Sequence, residues 1–186
     1  MPIIVQSRRR QLANIKKDFP ELIIIDVTSK GEDPWIKFSL FYPHASIPVP
    51  YSSGYLSETF EGIWQGLKVF ENSPIDLSKM RVKNMKGIKR TVRKNGKCLG
   101  HRLGIKGEKL LNYKQARYQI YLPTYHWVLE NRLSKLIQEL KTLSEKQTII
   151  LLDYETNGDV DNLKKPLSHA QLVRLYTENN YPSSPL

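Results

Sequence analysis

The apolar residues of this 186-residue chain form two kinds of pattern, and their mixture sets the expected fold class. Short β-branched runs at residues 22–28 and 148–153 predict buried strands. Stripes at helical spacing predict amphipathic helices, one of them along residues 60–70. The two kinds of element do not alternate as they do in a parallel α/β sheet. We therefore predict an α+β protein, a single helix-rich domain over residues 1–186 with a few short strands.

Local signals place the remaining elements. The expected helices cover residues 7–19, 57–70, 76–83, 113–121, 124–140 and 168–178. A further strand is expected at residues 35–41, followed by a loop at 42–54. Residues 179–186 are expected to form a frayed tail. Ser57 and Ser168 are the predicted N-caps of their helices. Pro123 is expected to end the helix before it, because proline has no amide donor. The Asn95-Gly96 pair predicts a two-residue hairpin turn.

The net charge of +11 is concentrated in one part of the chain. Residues 79–109, called the basic segment below, hold 12 of the 29 Lys and Arg residues and one of the 18 acidic residues, Glu108. A localised positive field favours a polyanion, either nucleic acid or a pyrophosphate-containing ligand. The alternative is a solvated surface hairpin without function. We expect the basic segment to form an exposed hairpin and loop inserted into the domain.

Several classes of protein do not fit the sequence. The single cysteine, Cys98, permits no internal disulfide and no cysteine zinc site, and the four histidines lack metal-ligand spacing. We therefore expect no metal site. The motifs of P-loop, zincin and serine-hydrolase sites are missing. The apolar runs are too short to span a membrane, and arginines follow the first of them, the reverse of a secretory signal. A soluble, cytoplasmic protein without membrane association is expected.

The segment FEGIWQGLKVF is the most informative for function. Its apolar side chains form a helical stripe, and Glu61, Gln65 and Lys68 follow one polar line beside that stripe. Gly62 and Gly66 lie on the opposite side. Two glycines inside a helix cost about 1 kcal/mol each relative to alanine, so we expect another group to approach them closely. In the alternative interpretation the charges are solvated and the glycines only admit a neighbouring helix.

Two further places carry candidate side chains. The loop DYETNGDVD brings four acids and Asn157 between a strand and a helix, where catalytic groups tend to lie, although its spacing does not match a calcium loop. Trp127 begins a helix but lies off the leucine stripe, and an aromatic side chain so placed often stacks a base. A polar turn and a second core face are the structural alternatives at these two places.

Taken in order, these segments resemble the NADAR (YbiA-like) family. F-S-x-F-Y-P at residues 38–43 resembles the opening motif of that family. S-E-T-F-E-G-I-W-Q-G-L-K-V-F at residues 57–70 resembles its central helix, of the form S-x-E-h-y-f-Q-A-x-K-F. Trp127 resembles the tryptophan that starts a later helix, and Asp159 falls on the late acid. The chain lacks the W-G pair near that acid and the His-Tyr pair after the glutamate.

The resemblance implies a YbiA-like fold and an N-glycosidase. Such an enzyme removes ADP-ribose from a base, such as guanine in DNA, or cleaves a phosphorylated N-glycoside from riboflavin synthesis, without a metal or redox cofactor. The implied catalytic residues are Glu61, Lys68 and Asp159. Glu61 and Asp159 would act on an oxocarbenium-like centre, while Lys68 would bind phosphate or attack C1. These three side chains are expected to converge on one pocket.

The same resemblance and the charge pattern give an expected set of ligand-binding residues. These are Gln65, Trp127, Phe38, Tyr42 and Asn157, together with Arg90, Arg93 and Arg102, whose guanidinium groups suit phosphate. The expected partner is ADP-ribosylated nucleic acid or an ADP-ribose-like nucleotide. The alternative is a non-catalytic protein with the same fold that binds nucleic acid or nucleotides.

Overall fold

The chain is built from short helices and strands, which a computed structural model describes over residues 2–20 and 22–183. The strands of these ranges are β1 (Ile3–Ser7), β2 (Ile23–Asp26), β3 (Ile47–Pro48), β4 (Leu56–Ser57), β5 (Lys68–Phe70), β6 (Cys98–Arg102), β7 (Leu110–Leu111) and β8 (Ile149–Asp153). The helices are α1 (Leu12–Asp18), α2 (Phe60–Gly66), α3 (Val92–Asn95), α4 (Tyr113–Ala116), α5 (Leu122–Arg132), α6 (Ser134–Lys146) and α7 (His169–Thr177). Short 3₁₀ helices form at Trp35–Phe38 and Leu77–Arg81, and a π-helical turn forms at Arg117–Tyr121.

This mixture of helices and small sheets confirms the predicted α+β class. The strands form a parallel sheet in the order β1-β8-β2, an antiparallel pair β3-β4, and an antiparallel sheet β5-β6-β7. The chain divides into two compact units. The terminal unit comprises residues 1–39 and 129–182, and the central unit is built from residues 40–128.

In the terminal unit, helices cover both faces of the parallel sheet. All five residues of β8, the middle strand, are buried, as expected for a run that reads Ile-Ile-Leu-Leu-Asp. Ile150 and Leu152 pack against Ile15 of α1. Because neighbouring residues of a strand point to opposite faces, Asp153 points away from α1, and there it contacts the first residues of α7.

In the central unit, α2 is buried along its whole length. The Thr59 side chain caps it by accepting a hydrogen bond from Gly62 N. A Cβ on Gly62 would lie 2.7 Å from the Lys79 carbonyl, and one on Gly66 would lie 3.0 Å from Met80. The glycines therefore let the 3₁₀ helix Leu77–Arg81 approach the back of α2, which confirms the close approach expected from the sequence.

Three local predictions are wrong for identifiable reasons. Residues 35–41 form no strand, because Pro34 leads into a 3₁₀ turn in which Ile36 and Lys37 donate to carbonyls only three or four residues back. The helix expected over residues 57–70 begins after Thr59 and ends at Gly66, so Lys68 lies on β5. The first expected helix is shorter than predicted, since its first residue, Ser7, ends β1.

Two predictions about chain breaks are also wrong. Pro123 does not end a helix, because the π-helical turn before it already shifts the hydrogen-bond pattern and the chain continues into α5. Asn95-Gly96 is no hairpin turn: Gly96, at φ 79°, ends α3. A hairpin forms further on, where β6 of the basic segment pairs with β7, just after the end of that segment.

Other elements agree with the sequence patterns. Ser168 caps α7 by accepting from Gln171 N, β8 forms as expected, and the predicted leucine stripe, Leu129, Leu133, Leu136, Ile137 and Leu140, is buried. Residues 184–186 of the expected frayed tail lie outside the described residues. Within the described residues, no helix has the length and apolar character needed to cross a membrane.

Candidate active site

The Glu61 carboxylate lies at the start of α2 and is held by Gln65 one turn later. Gln65 Nε2 donates to Glu61 Oε1 at 2.7 Å, and Gln65 Oε1 accepts from Arg90 N at 3.2 Å. Both α2 side chains are buried, each being 5% exposed. The predicted polar line is thus a hydrogen-bonded pair. Gln65 fixes the orientation of a carboxylate that has little contact with water.

Lys68 follows α2 and places a partly desolvated amine near that carboxylate. Burial is the main effect on its pKa and lowers it, the nearby Glu61 charge opposes this shift, and the charges of Lys89 and Arg90 add to the lowering. Lys68 Nζ lies 5.9 Å from the centre of the Trp64 ring. The ammonium of Lys68 is therefore a better proton donor than that of an exposed lysine.

His101 is a third polar member of this cluster, and sequence reasoning missed it. It pairs with Lys68 across β5 and β6, its ring lies 3.9 Å from the Trp64 ring, and it is 2% exposed. Burial, aided by the Lys68 charge, lowers the pKa of His101 to about 3, so the imidazole is neutral near pH 7. A lone histidine in the sequence gives no hint of this position, which only the strand pairing creates.

Arg90, an expected phosphate ligand, is instead committed to the protein backbone. Its guanidinium donates to the carbonyls of Lys68 at 2.7 Å and Pro74 at 2.7 Å and to Ser73 Oγ at 2.6 Å, and it lies over the Phe70 ring. These bonds tie the end of α2 and β5 to the chain that follows. A phosphate on Arg90 would have to compete with them.

We expect Arg90→Lys to lower the free energy of unfolding by about 2–4 kcal/mol, because lysine keeps the charge but cannot make this set of bonds. Urea unfolding of the variant measures the loss. Arg93→Lys is the matched control, since Arg93 is exposed on α3, and it should change stability by less than about 0.5 kcal/mol. Equal stability of the two variants would contradict the structural role of Arg90.

The other expected binding residues are dispersed. Arg102 donates to the Gly107 carbonyl at 2.8 Å within the β6–β7 hairpin. Tyr42 is half-buried, with its ring 4.9 Å from that of His44, and Trp127 is half-buried on α5. Phe38 is fully buried in the terminal unit. These positions leave Tyr42, Trp127 and Arg102 as predicted ligand contacts, while Phe38 serves the core.

Asp159 and Asn157 belong to the loop that follows β8. Asn157 Nδ2 donates to the carbonyl of Asp159 at 3.1 Å, and Asp159 Oδ1 accepts from Asp161 N at 2.9 Å. Asp159 is exposed and lies in the terminal unit, whereas Glu61 and Lys68 lie in the central unit. The expected convergence of the three side chains remains a prediction.

Comparison with known proteins decides the family. The model of a family of unknown function (DUF6939) matches residues 7–173. The chain belongs to DUF6939. The NADAR resemblance is therefore wrong, because this match covers nearly the whole chain and no NADAR or YbiA family is found. No curated protein and no solved structure matches the chain. The roles that the resemblance implied must be judged for this DUF6939 member on the chemistry of its own residues.

The DUF6939 chain also contains a buried acid, the first residue of DYETNGDVD, which sequence reasoning did not single out from the other acids of that run. Asp153 ends β8, and its Oδ2 accepts from Ser168 Oγ at 2.7 Å and pairs with His169 Nδ1 at 3.0 Å. His169 Nε2 lies 2.9 Å from the Val27 carbonyl. Burial alone would raise the pKa of Asp153, but His169 and the hydrogen bonds from Ser168 and Ala170 N outweigh it and lower the pKa to about 2.

This Asp–His–Ser group has a structural role. In a hydrolase triad the serine donates to the imidazole, whereas Ser168 donates to the carboxylate and caps α7. Both ring nitrogens of His169 face acceptors, namely Asp153 and Val27 O. The group joins the end of β8 to α7 and to the segment after β2.

Proposed function

We propose that this protein hydrolyses the N-glycosidic bond between an ADP-ribose-like group and a base, with Glu61 and Lys68 as the reacting pair. The observation that carries the proposal is the placement of a buried, oriented carboxylate and a desolvated lysine in one cluster. A buried carboxylate beside a desolvated amine is an arrangement typical of functional sites.

The two groups supply what the reaction requires. As the C1–N bond breaks, its electron pair passes to the base nitrogen, which takes a proton from the Lys68 ammonium. The Glu61 carboxylate stabilises the positive charge that develops at C1. Water then bonds to C1 and loses a proton to Glu61. Return of that proton from Glu61 to Lys68 restores the starting state, so atoms and charges balance.

The charge around the cluster favours an anionic substrate. Lys89 and Arg90 of the basic segment are close enough to influence the pKa of Lys68, and Lys89 Nζ lies 5.5 Å from the Phe41 ring. A pyrophosphate-linked ribose would be attracted to such a field. An ADP-ribosyl base in nucleic acid fits this charge better than a neutral nucleoside does.

We expect Glu61→Gln to reduce turnover of an ADP-ribosylated single-stranded DNA by at least about 100-fold. The amide side chain still accepts from Gln65 Nε2, so the thermal midpoint should stay nearly unchanged while the charge at C1 is lost. Release of ADP-ribose is the measurement. Glu139→Gln, on the exposed face of α6, is the matched control and should retain full activity.

Lys68→Met provides a second test within the same assay. The lowered pKa of Lys68 predicts that wild-type activity falls on the alkaline side at a pH below 10.5, the ordinary lysine value, since the proton donor is then lost. Lys68→Met should abolish this alkaline limb together with most of the rate, whereas Lys141→Met on α6 should leave both intact. Unchanged turnover in Glu61→Gln and Lys68→Met would remove the proposed mechanism.

A second candidate function is nucleic-acid binding without catalysis, favoured by the net charge of the basic segment. Binding of this kind weakens with salt at a slope of roughly −0.7 per neutralised phosphate of a single strand. A wild-type protein that binds DNA with such a slope but releases no ADP-ribose would support this second function.

A further inference from the structure

A cleft in the terminal unit carries features that the proposed function does not use. It has a volume of about 580 Å³, within the usual range for small-molecule sites. It lies at the carboxyl ends of the parallel strands, next to Asp26, the last residue of β2, and Leu152 of β8. Open sheets of parallel strands bind ligands at this edge.

The walls of the cleft combine an apolar floor with one aromatic ring. Leu12, Ile24 and Leu152 supply the apolar surface, and Trp35 lines the cleft from the 3₁₀ helix after β2. The Trp35 ring is stacked against Phe38, with ring centres 6.2 Å apart and planes 14° apart. Trp35 is therefore held as a flat surface on which a planar ring can stack.

The charged lining favours an anion. Arg8 Nε donates to Asp26 Oδ2 at 2.6 Å, and the other oxygen of Asp26 accepts from Thr28 N and Oγ1. Both oxygens of Asp26 thus accept hydrogen bonds, and Asp26 orients Arg8. The Arg8 guanidinium also lies over the Tyr154 ring, 5.6 Å from its centre, and interacts with that side chain. Arg8 is thus held in place in the wall of the cleft, where its positive charge attracts a phosphate.

Two lysines extend this positive surface. Lys16 of α1 and Lys30 of the loop after β2 line the cleft, both are exposed, and neither has an ion pair with any described residue. Arg10 also lines the cleft, but it is paired with Asp18. The acidic residues that line the cleft are Asp26 and Glu32.

We propose that this cleft binds a nucleoside diphosphate, with its base on Trp35 and its phosphates on Arg8, Lys16 and Lys30. The size of the cleft suits one small molecule, the aromatic wall selects a planar ring, and the cations require negative charge. The site lies wholly within the terminal unit. It is independent of Glu61 and Lys68, so failure of the proposed hydrolase activity would leave it untouched.

The test is calorimetric titration of the full-length protein with ADP, pyrophosphate and adenosine at physiological salt. We expect ADP to bind more tightly than either fragment. The double variant Lys16→Glu/Lys30→Glu should weaken ADP binding at least about tenfold, because it reverses the charge at the phosphate positions. Lys135→Glu/Lys141→Glu on α6 makes the same change in net charge outside the cleft and should weaken it less than about twofold.

Trp35→Ala distinguishes the contribution of the base to binding from that of the phosphates. Loss of stacking should weaken ADP binding at least about fivefold while leaving pyrophosphate binding unchanged. Circular dichroism of each variant verifies folding.

Three outcomes would contradict the proposal. Equal effects of the two lysine double variants on ADP binding, or no binding of ADP at all, would show that the cleft is not a nucleotide site. Pyrophosphate binding as tight as ADP binding would overturn its assignment to a nucleotide. ADP binding lost in Lys68→Met but kept in Lys16→Glu/Lys30→Glu would place the nucleotide at the other cluster and refute the proposal.

Discussion

Replacement of Asp153 by alanine is expected to lower the free energy of unfolding by about 3–5 kcal/mol. The substitution removes the acceptor of Ser168 Oγ and the partner of His169, both of which are buried. An uncompensated polar group in the protein interior loses its hydration without replacement. Urea unfolding at neutral pH measures the loss.

Asp159→Ala is the matched control for this prediction. Asp159 lies in the loop that follows Asp153, but it is exposed, and its carboxylate accepts a hydrogen bond from Asp161 N. Its removal should cost less than about 1 kcal/mol. Asp153→Asn keeps an acceptor but loses the charge, so its loss of unfolding free energy should lie between the losses of Asp153→Ala and Asp159→Ala. Equal stability of Asp153→Ala and Asp159→Ala would show that the Asp153 group does not hold the terminal unit together.

Acidification is expected to destabilise the protein through His101, beginning above the pH at which carboxylates titrate. The folded-state pKa of about 3 lies below the ordinary value of 6.5, so between these values the unfolded chain binds the extra proton. Stability is therefore full above about pH 6.5 and falls as the pH decreases toward 3. At about 1.4 kcal/mol per pH unit, the loss is on the order of 4 kcal/mol.

His101→Phe tests this origin, because phenylalanine keeps an aromatic ring against Trp64 and cannot be protonated. The variant should show little change in unfolding free energy from pH 6.5 to 4, while the wild type loses stability steadily. Asp153 acts in a lower range: its pKa of about 2 stabilises the fold above 3.8, and this contribution is lost as the pH falls toward 2. An unchanged acid response in His101→Phe would exclude the imidazole as the source.

The sequence predicts those parts of the structure whose cause is local. The runs at β2 and β8 and the cap of α7 by Ser168 depend on nearby residues or on burial alone. The glycines of α2 indicate a close approach from the sequence, but not the 3₁₀ helix that makes it. The errors at residues 35–41 and at Pro123 arise where a local turn outweighs strand alternation, or where an irregular helical turn accommodates proline.

The candidate site shows the same limit. Glu61 and Gln65 are four residues apart on one helix, so their contact follows from helical spacing. His101 reaches Lys68 only through the pairing of β5 with β6, and His169 reaches Asp153 only when α7 packs on the sheet. Such contacts depend on tertiary structure. Without a recognised motif at these positions, a single sequence does not show which of these residues come into contact.

The strand order of the parallel sheet has a consequence for synthesis on the ribosome. β1 and β2 do not pair with each other; each pairs with β8, which is translated more than 120 residues after β2. The backbone groups of β1 and β2 therefore have no partner strand in this sheet until almost the whole chain has emerged from the ribosome. The residues of the central unit are synthesised during this interval. A nascent chain that stalls before Ile149 would expose two strand edges at once, the condition under which chaperones are most needed.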